Sequence, residues 1–156
     1  MKKNFKVLFL AIISFGLLAI STSRIQAASY EYSVNFSGQW VSGHSNGVYR
    51  PFNGLTRLTA KYRLEYSTAA PTDFNKDISV ELKYKCGIGN WSTCTFSEAQ
   101  KIATVSLKKG NKIGSYVSGN LSWNVPGNRS YYFVSYNSWT GNHLLQTTGT
   151  GTVTSN

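Results

Sequence analysis

Polar and apolar residues alternate over most of the chain after residue 28, and this period of two predicts β-strands. The clearest case is residues 77–86, where every second residue is apolar or cysteine. Successive side chains of a strand point to opposite faces, so this stretch predicts a half-buried strand with a polar outer face. That outer face would carry Ser79, Glu81, Lys83 and Lys85. The same alternation predicts strands over residues 30–40, 55–66, 117–125 and 144–154.

Two further stretches depart from simple alternation. Residues 130–139 are aromatic on both faces, as in a central strand buried from two sides. Residues 97–100 are compatible with the start of a helical turn, but Ile102, Val105 and Leu107 restore a strand-like pattern. About seven strands separated by turns, with no convincing helix, predict an all-β fold. We expect a two-sheet antiparallel sandwich.

A local motif bears on the strand order of that sandwich. Residues 125–134, VPGNRSYYFV, resemble the turn into the penultimate strand of fibronectin type III domains. In that family a Pro-Gly turn precedes the tyrosine of the corner motif, which here lies one position later. The resemblance implies an immunoglobulin-like topology, which we therefore favour.

The four tryptophans divide into two pairs by their neighbours. Trp40 and Trp123 share parity with apolar residues, which predicts that both lie in the core. Trp91 and Trp139 lie beside turn residues, which predicts exposed indoles suited to binding a sugar, a protein or a membrane interface. Trp91 and Trp139 are therefore candidate binding residues.

The N-terminus has the pattern of a secretory signal peptide. Lys2, Lys3 and Lys6 precede an apolar run over residues 7–20, and small residues follow at Ala27 and Ala28. We expect cleavage after Ala27 or Ala28, so that residues 1–27 are the signal peptide and residues 28–156 form one secreted domain. The short lysine-led start is typical of bacteria.

Export gives the two cysteines a simple interpretation. Cys86 and Cys94 are expected to form one disulfide that closes the loop CGIGNWSTC. These two cysteines and the distant His44 and His143 do not make a metal-ligand set, so we expect neither a metal nor another cofactor.

The mature domain is basic. Removing Lys2, Lys3, Lys6 and Arg24 from 16 basic residues leaves 12 against 6 acidic ones, a net charge near +6. If the strands over residues 55–66 and 77–86 share a sheet, they form one basic face that recruits anionic partners. Its members would be Arg57, Lys61, Arg63, Lys83 and Lys85. The outer positions of residues 117–125 and 148–154 are instead uncharged serine, asparagine and threonine.

No constellation of catalytic groups is visible, because the carboxylates lie at outward strand or loop positions. We therefore expect a secreted non-enzymatic protein that binds an anionic or glycan-bearing component of the cell surface or envelope. The alternative is a secreted cationic antimicrobial or membrane-active toxin, bacteriocin-like, that docks on an anionic membrane surface. An inhibitor that presents the Cys86–Cys94 loop also stays open, whereas export makes nucleic acid an unexpected partner.

Overall fold

The computed structural model describes residues 27–43, 48–87, 92–138 and 144–156. The predicted signal segment, Trp91, Trp139 and both histidines lie outside the described residues, apart from Ala27. The described part contains eight β-strands. They are β1 (Ala28–Phe36), β2 (Trp40–Ser42), β3 (Gly54–Tyr66), β4 (Phe74–Lys85), β5 (Thr93–Leu107), β6 (Val117–Val125), β7 (Tyr131–Asn137) and β8 (Leu145–Ser155).

The strands form two antiparallel sheets of four, which confirms the predicted all-β sandwich. Sheet A has the order β1-β8-β3-β6, and sheet B has the order β2-β7-β4-β5. The first strand pairs with the last, the second with the seventh, the third with the sixth and the fourth with the fifth. This nested pairing is that of an eight-stranded jelly roll.

The strand order differs from the immunoglobulin-like order that we favoured. An immunoglobulin sandwich places strands 1, 2, 5 and 4 in one sheet and strands 3, 6 and 7 in the other. The local motif is nevertheless present, because the Tyr131 hydroxyl donates a hydrogen bond to the Pro126 carbonyl at 2.6 Å. A tyrosine-corner contact spans only six residues, so it does not determine which strands pair.

The predicted first strand, residues 30–40, is divided between the sheets. The chain leaves sheet A after Phe36 and enters sheet B at Trp40, with Gly38 in the connection. This crossing breaks the alternation on which the core assignment of Trp40 rested. Trp40 is 56% exposed, so that assignment is wrong, whereas Trp123 is 5% exposed and its core assignment is confirmed.

Residues 97–100 lie within β5 and do not start a helical turn. The pairing of β4 with β5 shifts register on both sides of Leu82, as at a β-bulge. An extra residue in the strand therefore accounts for the local break in alternation. The described residues include no helix long and apolar enough to cross a bilayer.

The two sides of the sandwich are closed to different degrees. On the side of β5 and β6 the sheets approach closely, because a Cβ added at Gly119 would lie 1.9 Å from the Ile102 carbonyl oxygen. On the side of β1 and β2, a strand of nine residues faces one of three. A cleft lies on that second side.

The connections between strands fall at the two ends of the sandwich. Of the described residues, one end, here called the disulfide end, carries 43, 48–53, 86–87, 92 and 126–130. The opposite end carries 67–73, 108–116, 138 and 144, together with the short link over 37–39.

Candidate functional site

The five residues of the predicted basic face do not lie on one surface. Arg57, Lys61 and Arg63 belong to β3 in sheet A, whereas Lys83 and Lys85 belong to β4 in sheet B. The connection over 67–73 crosses from one sheet to the other, so the two groups occupy opposite outer faces. The two strands that carry these residues do not share a sheet, so the predicted single basic face does not form.

On the outer face of sheet A, two of the three cations have partners. Lys61 and Arg63 lie over the Tyr116 ring at 4.8 and 4.7 Å. Arg63 also pairs with Glu65 at 2.6 Å. The predicted hydroxyl-rich surface surrounds them, since Ser33, Thr150, Lys61 and Ser118 lie side by side across the four strands. A shallow depression of about 610 Å³ crosses this face.

On the outer face of sheet B, Lys83 is neutralised by a buried carboxylate. Glu81 is 6% exposed, although the alternation placed it on a solvated face. Its carboxylate accepts hydrogen bonds from Tyr136 at 2.5 Å and Thr95 at 2.8 Å, and Lys83 lies at 3.2 Å. Burial by itself would raise the pKa of Glu81, but these three partners together lower it. Glu81 therefore ties β4 to β5 and β7 as an anion.

The cysteines form the predicted disulfide. Cys86 and Cys94 are bonded, with their Cα atoms 5.9 Å apart. The backbone N–H of Cys86 also donates to the Ser92 carbonyl at 2.9 Å, which closes the base of the loop. The tip of that loop, with Trp91, lies outside the described residues, so its role as a binding contact stays a prediction.

Backbone hydrogen bonds hold the three connections of the disulfide end together. Arg50 and Tyr131 exchange two of them, at 2.8 and 2.9 Å. The Lys85 N–H donates to the Ser130 carbonyl at 3.0 Å. Asn128 adopts φ of 66°, a left-handed conformation that asparagine tolerates, and so turns the chain between Pro126 and Tyr131.

The described connections at this end, and the strand ends that flank them in β3 to β7, carry cations but no acidic side chain. The described segments 48–57, 84–87, 92–95 and 123–131 contain no aspartate or glutamate. Four cations lie in them, namely Arg50, Arg57, Lys85 and Arg129. The positive charge of these segments is therefore not offset by any acid of their own.

Tyrosine rings orient two of these cations. The Arg129 guanidinium lies 4.3 Å from the centre of the Tyr84 ring, and the Arg50 guanidinium lies 5.5 Å from that of Tyr30. A ring attracts the face of a guanidinium but does not cancel its charge, so the N–H edges stay able to bind an oxyanion. Burial raises the pKa of Tyr131, and the neighbouring Arg129 opposes that rise.

Sequence reasoning missed Arg50 and Arg129. Both lie in turns, beside Pro51 and after Pro126-Gly127-Asn128, and neither belongs to an alternating stretch. The proline, glycine and asparagine residues beside them indicate turns, and this could have predicted that each arginine is exposed. Only the jelly-roll pairing brings those turns to the same end as the disulfide.

Two of the described aspartates have lowered pKa values. The pKa of Asp73 is lowered by the Lys109 backbone N–H and by Lys108, and that of Asp77 by the Thr104 hydroxyl and Lys101. A general acid needs the opposite shift. Within the described ranges, no three histidine, cysteine, aspartate or glutamate residues are grouped as metal ligands would be.

Neither a protein-family model nor a curated protein sequence matches this chain. Two solved structures are similar in part. A structure of infectious bursal disease virus Gx strain has 11% identity and a TM-score of 0.44, over 83% of this chain and 30% of that one. The infectious bursal disease virus VP2 subviral particle has 11% identity and a TM-score of 0.39, over 84% and 33%. This chain thus spans 30–33% of the length of those viral chains, and its function is inferred from its own residues.

Proposed function

We propose that this protein is a secreted, non-enzymatic binding protein that recognises an anionic or glycan-bearing component of the cell envelope through its disulfide end. The observation that carries the proposal is the set of Arg50, Arg57, Lys85 and Arg129 in segments without a single carboxylate. Such a surface attracts and retains polyanions, because no internal ion pair must be broken first.

The chemistry of the end fits oxyanions on a polymer. Arginine binds phosphate, carboxylate or sulfate through paired N–H groups, and lysine adds a point charge. The tyrosine that orients Arg129 reduces the conformational freedom lost on binding. The disulfide has the same effect on the loop beside it, and it is compatible with an oxidising extracellular setting.

The matched experiment compares the same loss of charge at the two ends. Lys85→Gln/Arg129→Gln removes two cations from the disulfide end, and Lys109→Gln/Lys112→Gln removes two exposed cations from the opposite end. Binding is measured to purified bacterial wall that bears teichoic-type anionic polymers, before and after these polymers are stripped. Because each exposed contact contributes roughly 0.5–1 kcal/mol, we expect the first variant to bind about 5- to 30-fold more weakly.

The control variant should bind within about twofold of the parent protein, because net charge alone gives little specificity at ordinary ionic strength. Equal losses in both variants would contradict a site at the disulfide end. Leakage of anionic liposomes without retention on the wall would instead support the membrane-active alternative.

A further inference from the structure

The cleft on the side of β1 and β2 adjoins the surface just described and shares Arg50 with it. It is lined mainly by aromatic and aliphatic side chains from both sheets, including Tyr30, Tyr32, Val34, Phe52 and Phe133. Its volume is about 70 Å³. This space exceeds what one water molecule needs, and it is small enough to suit a short apolar chain.

One cation lines this cleft and keeps an unused donor. The backbone of Arg50 is held by Tyr131, its Nη1 donates to the Tyr49 carbonyl at 3.0 Å, and its guanidinium lies beside Tyr30. The Nε–H is buried and has no hydrogen-bond partner in the described structure. A buried donor on a charged group is costly to leave unpaired. With Nη1 engaged, the Nε edge is the side of the guanidinium able to receive a carboxylate.

An acid lies on the rim of the same cleft without neutralising that cation. Glu31 lines the cleft, but it forms no ion pair within 4.0 Å in the described structure. Its negative charge disfavours a ligand that brings a second anion close to Arg50. A monoanion is therefore favoured over a phosphate dianion or a dicarboxylate.

We infer that the cleft binds a small amphipathic monocarboxylate with a short or branched acyl chain. The carboxylate accepts hydrogen bonds from the Nε edge of Arg50, and the acyl chain packs among Tyr30, Tyr32 and Phe133. The small volume and apolar lining of the cleft favour a short acyl chain over a sugar ring. The cleft shares Arg50 with the proposed envelope-binding surface, but neither Lys85 nor Arg129 lines it, so binding of a small acid is tested without reference to wall binding.

The test uses isovalerate as the probe and isovaleramide as its neutral isostere. Binding to the mature protein is followed by NMR shift changes at millimolar ligand. We expect saturable binding of isovalerate, at least tenfold tighter than isovaleramide, with the largest changes at residues around the cleft. Acetate, which lacks the branched chain, should bind more weakly than isovalerate. Equal binding of acid and amide, or no saturable binding of isovalerate, overturns the inference.

Variants separate the charge from the cleft. Arg50→Gln should abolish the preference for the acid, while Lys109→Gln, which removes the same charge from the opposite end of the sandwich, should leave it unchanged. If Arg50→Gln does not fold, Arg50→Lys keeps the charge but lacks the Nε donor, and a tenfold loss is expected. Glu31→Gln should improve binding of methylsuccinate, a dicarboxylate, at least threefold. Equal effects of Arg50→Gln and Lys109→Gln, or unchanged binding in Arg50→Lys, overturn the assignment.

Discussion

The two ends of the sandwich hold their cations in different ways. At the opposite end, Lys108 pairs with Asp73 at 3.2 Å and Arg63 with Glu65 at 2.6 Å. At the disulfide end, Arg129 lies over the Tyr84 ring instead. A carboxylate orients a cation and cancels its charge, whereas an aromatic ring orients it and leaves the charge in place. The cations of the opposite end are therefore partly compensated by acids, whereas those in the described connections of the disulfide end keep their charge available to anions.

The two ends also differ in how they hold a tryptophan, and replacing these tryptophans should give the largest difference in the free energy of unfolding. Trp123, near the disulfide end, packs against Phe133 with ring centres 5.6 Å apart and is almost fully buried. Trp123→Ala should lower the free energy of unfolding by about 3–5 kcal/mol through the cavity it leaves.

Trp40, near the opposite end, is mostly exposed, and Trp40→Ala should change the free energy of unfolding by less than about 1 kcal/mol. Urea unfolding curves of both variants measure the difference. Similar losses would mean that Trp40 packs as a core residue in solution.

Loss of the disulfide, which lies at only one of the two described ends, should have an intermediate effect on stability. Cys86→Ser/Cys94→Ser opens a loop with a sequence separation of 8. Chain entropy then predicts a loss of up to about 2.5 kcal/mol, together with weaker wall binding as the loop loses its order. Thermal melting and the wall-binding assay measure the two effects.

The matched change at the opposite end is Asp73→Asn, which removes an exposed ion pair. It should lower the melting temperature less than loss of the disulfide does. A variant that loses stability but binds as before would separate the loop from the binding surface.

The smallest effect is a difference in acid response between the ends. The pKa values of Asp73 and Asp77 are lowered in the folded state, as is that of Glu81. A lowered pKa means that the folded state binds these protons less readily than the unfolded chain. Their stabilising contribution is therefore complete above the unfolded pKa of about 4 and is lost as pH falls through the folded values.

Two backbone amides report this difference directly. The Lys109 N–H donates to Asp73 at 2.7 Å, and the Lys85 N–H donates to the Ser130 carbonyl at 3.0 Å. In an NMR titration from pH 6 to pH 2.5, the Lys109 amide should shift with a midpoint below 4, while the Lys85 amide should not titrate. A parallel shift of both would show that acid loosens the whole fold rather than one end.

Several strands were predictable because their cause is local. Gly54–Tyr66 and Val117–Val125 agree with the predicted spans to within a residue, since each alternates without interruption. The disulfide was equally predictable, from two cysteines whose separation fits the base of a hairpin. Trp40 was misassigned because the chain changes sheets within three residues, an event that leaves no mark beyond Gly38.

The candidate site was less predictable than the strands. Alternation placed Arg57 and Lys83 correctly outward in their strands but carried no information on whether those strands share a sheet. Glu81 has the position of a solvated acid, and its burial depends on Tyr136, which lies 55 positions away in the chain. Arg50 and Arg129 lie in turns, whose residue types indicate a change of direction but not the neighbours that the turn acquires.

The sequence by itself determined the elements of this protein, because the alternation of side chains along a strand is a property of adjacent residues. This alternation determined the β class and most strand positions, and the separation of the two cysteines determined the disulfide. The tertiary structure alone decided the jelly-roll order, the separation of the predicted basic face and the gathering of cations at the disulfide end. Strand pairing joins residues more than a hundred positions apart in the chain, as in the pairing of Tyr32 with Gly151. No local pattern records which distant strand satisfies the backbone hydrogen bonds of another.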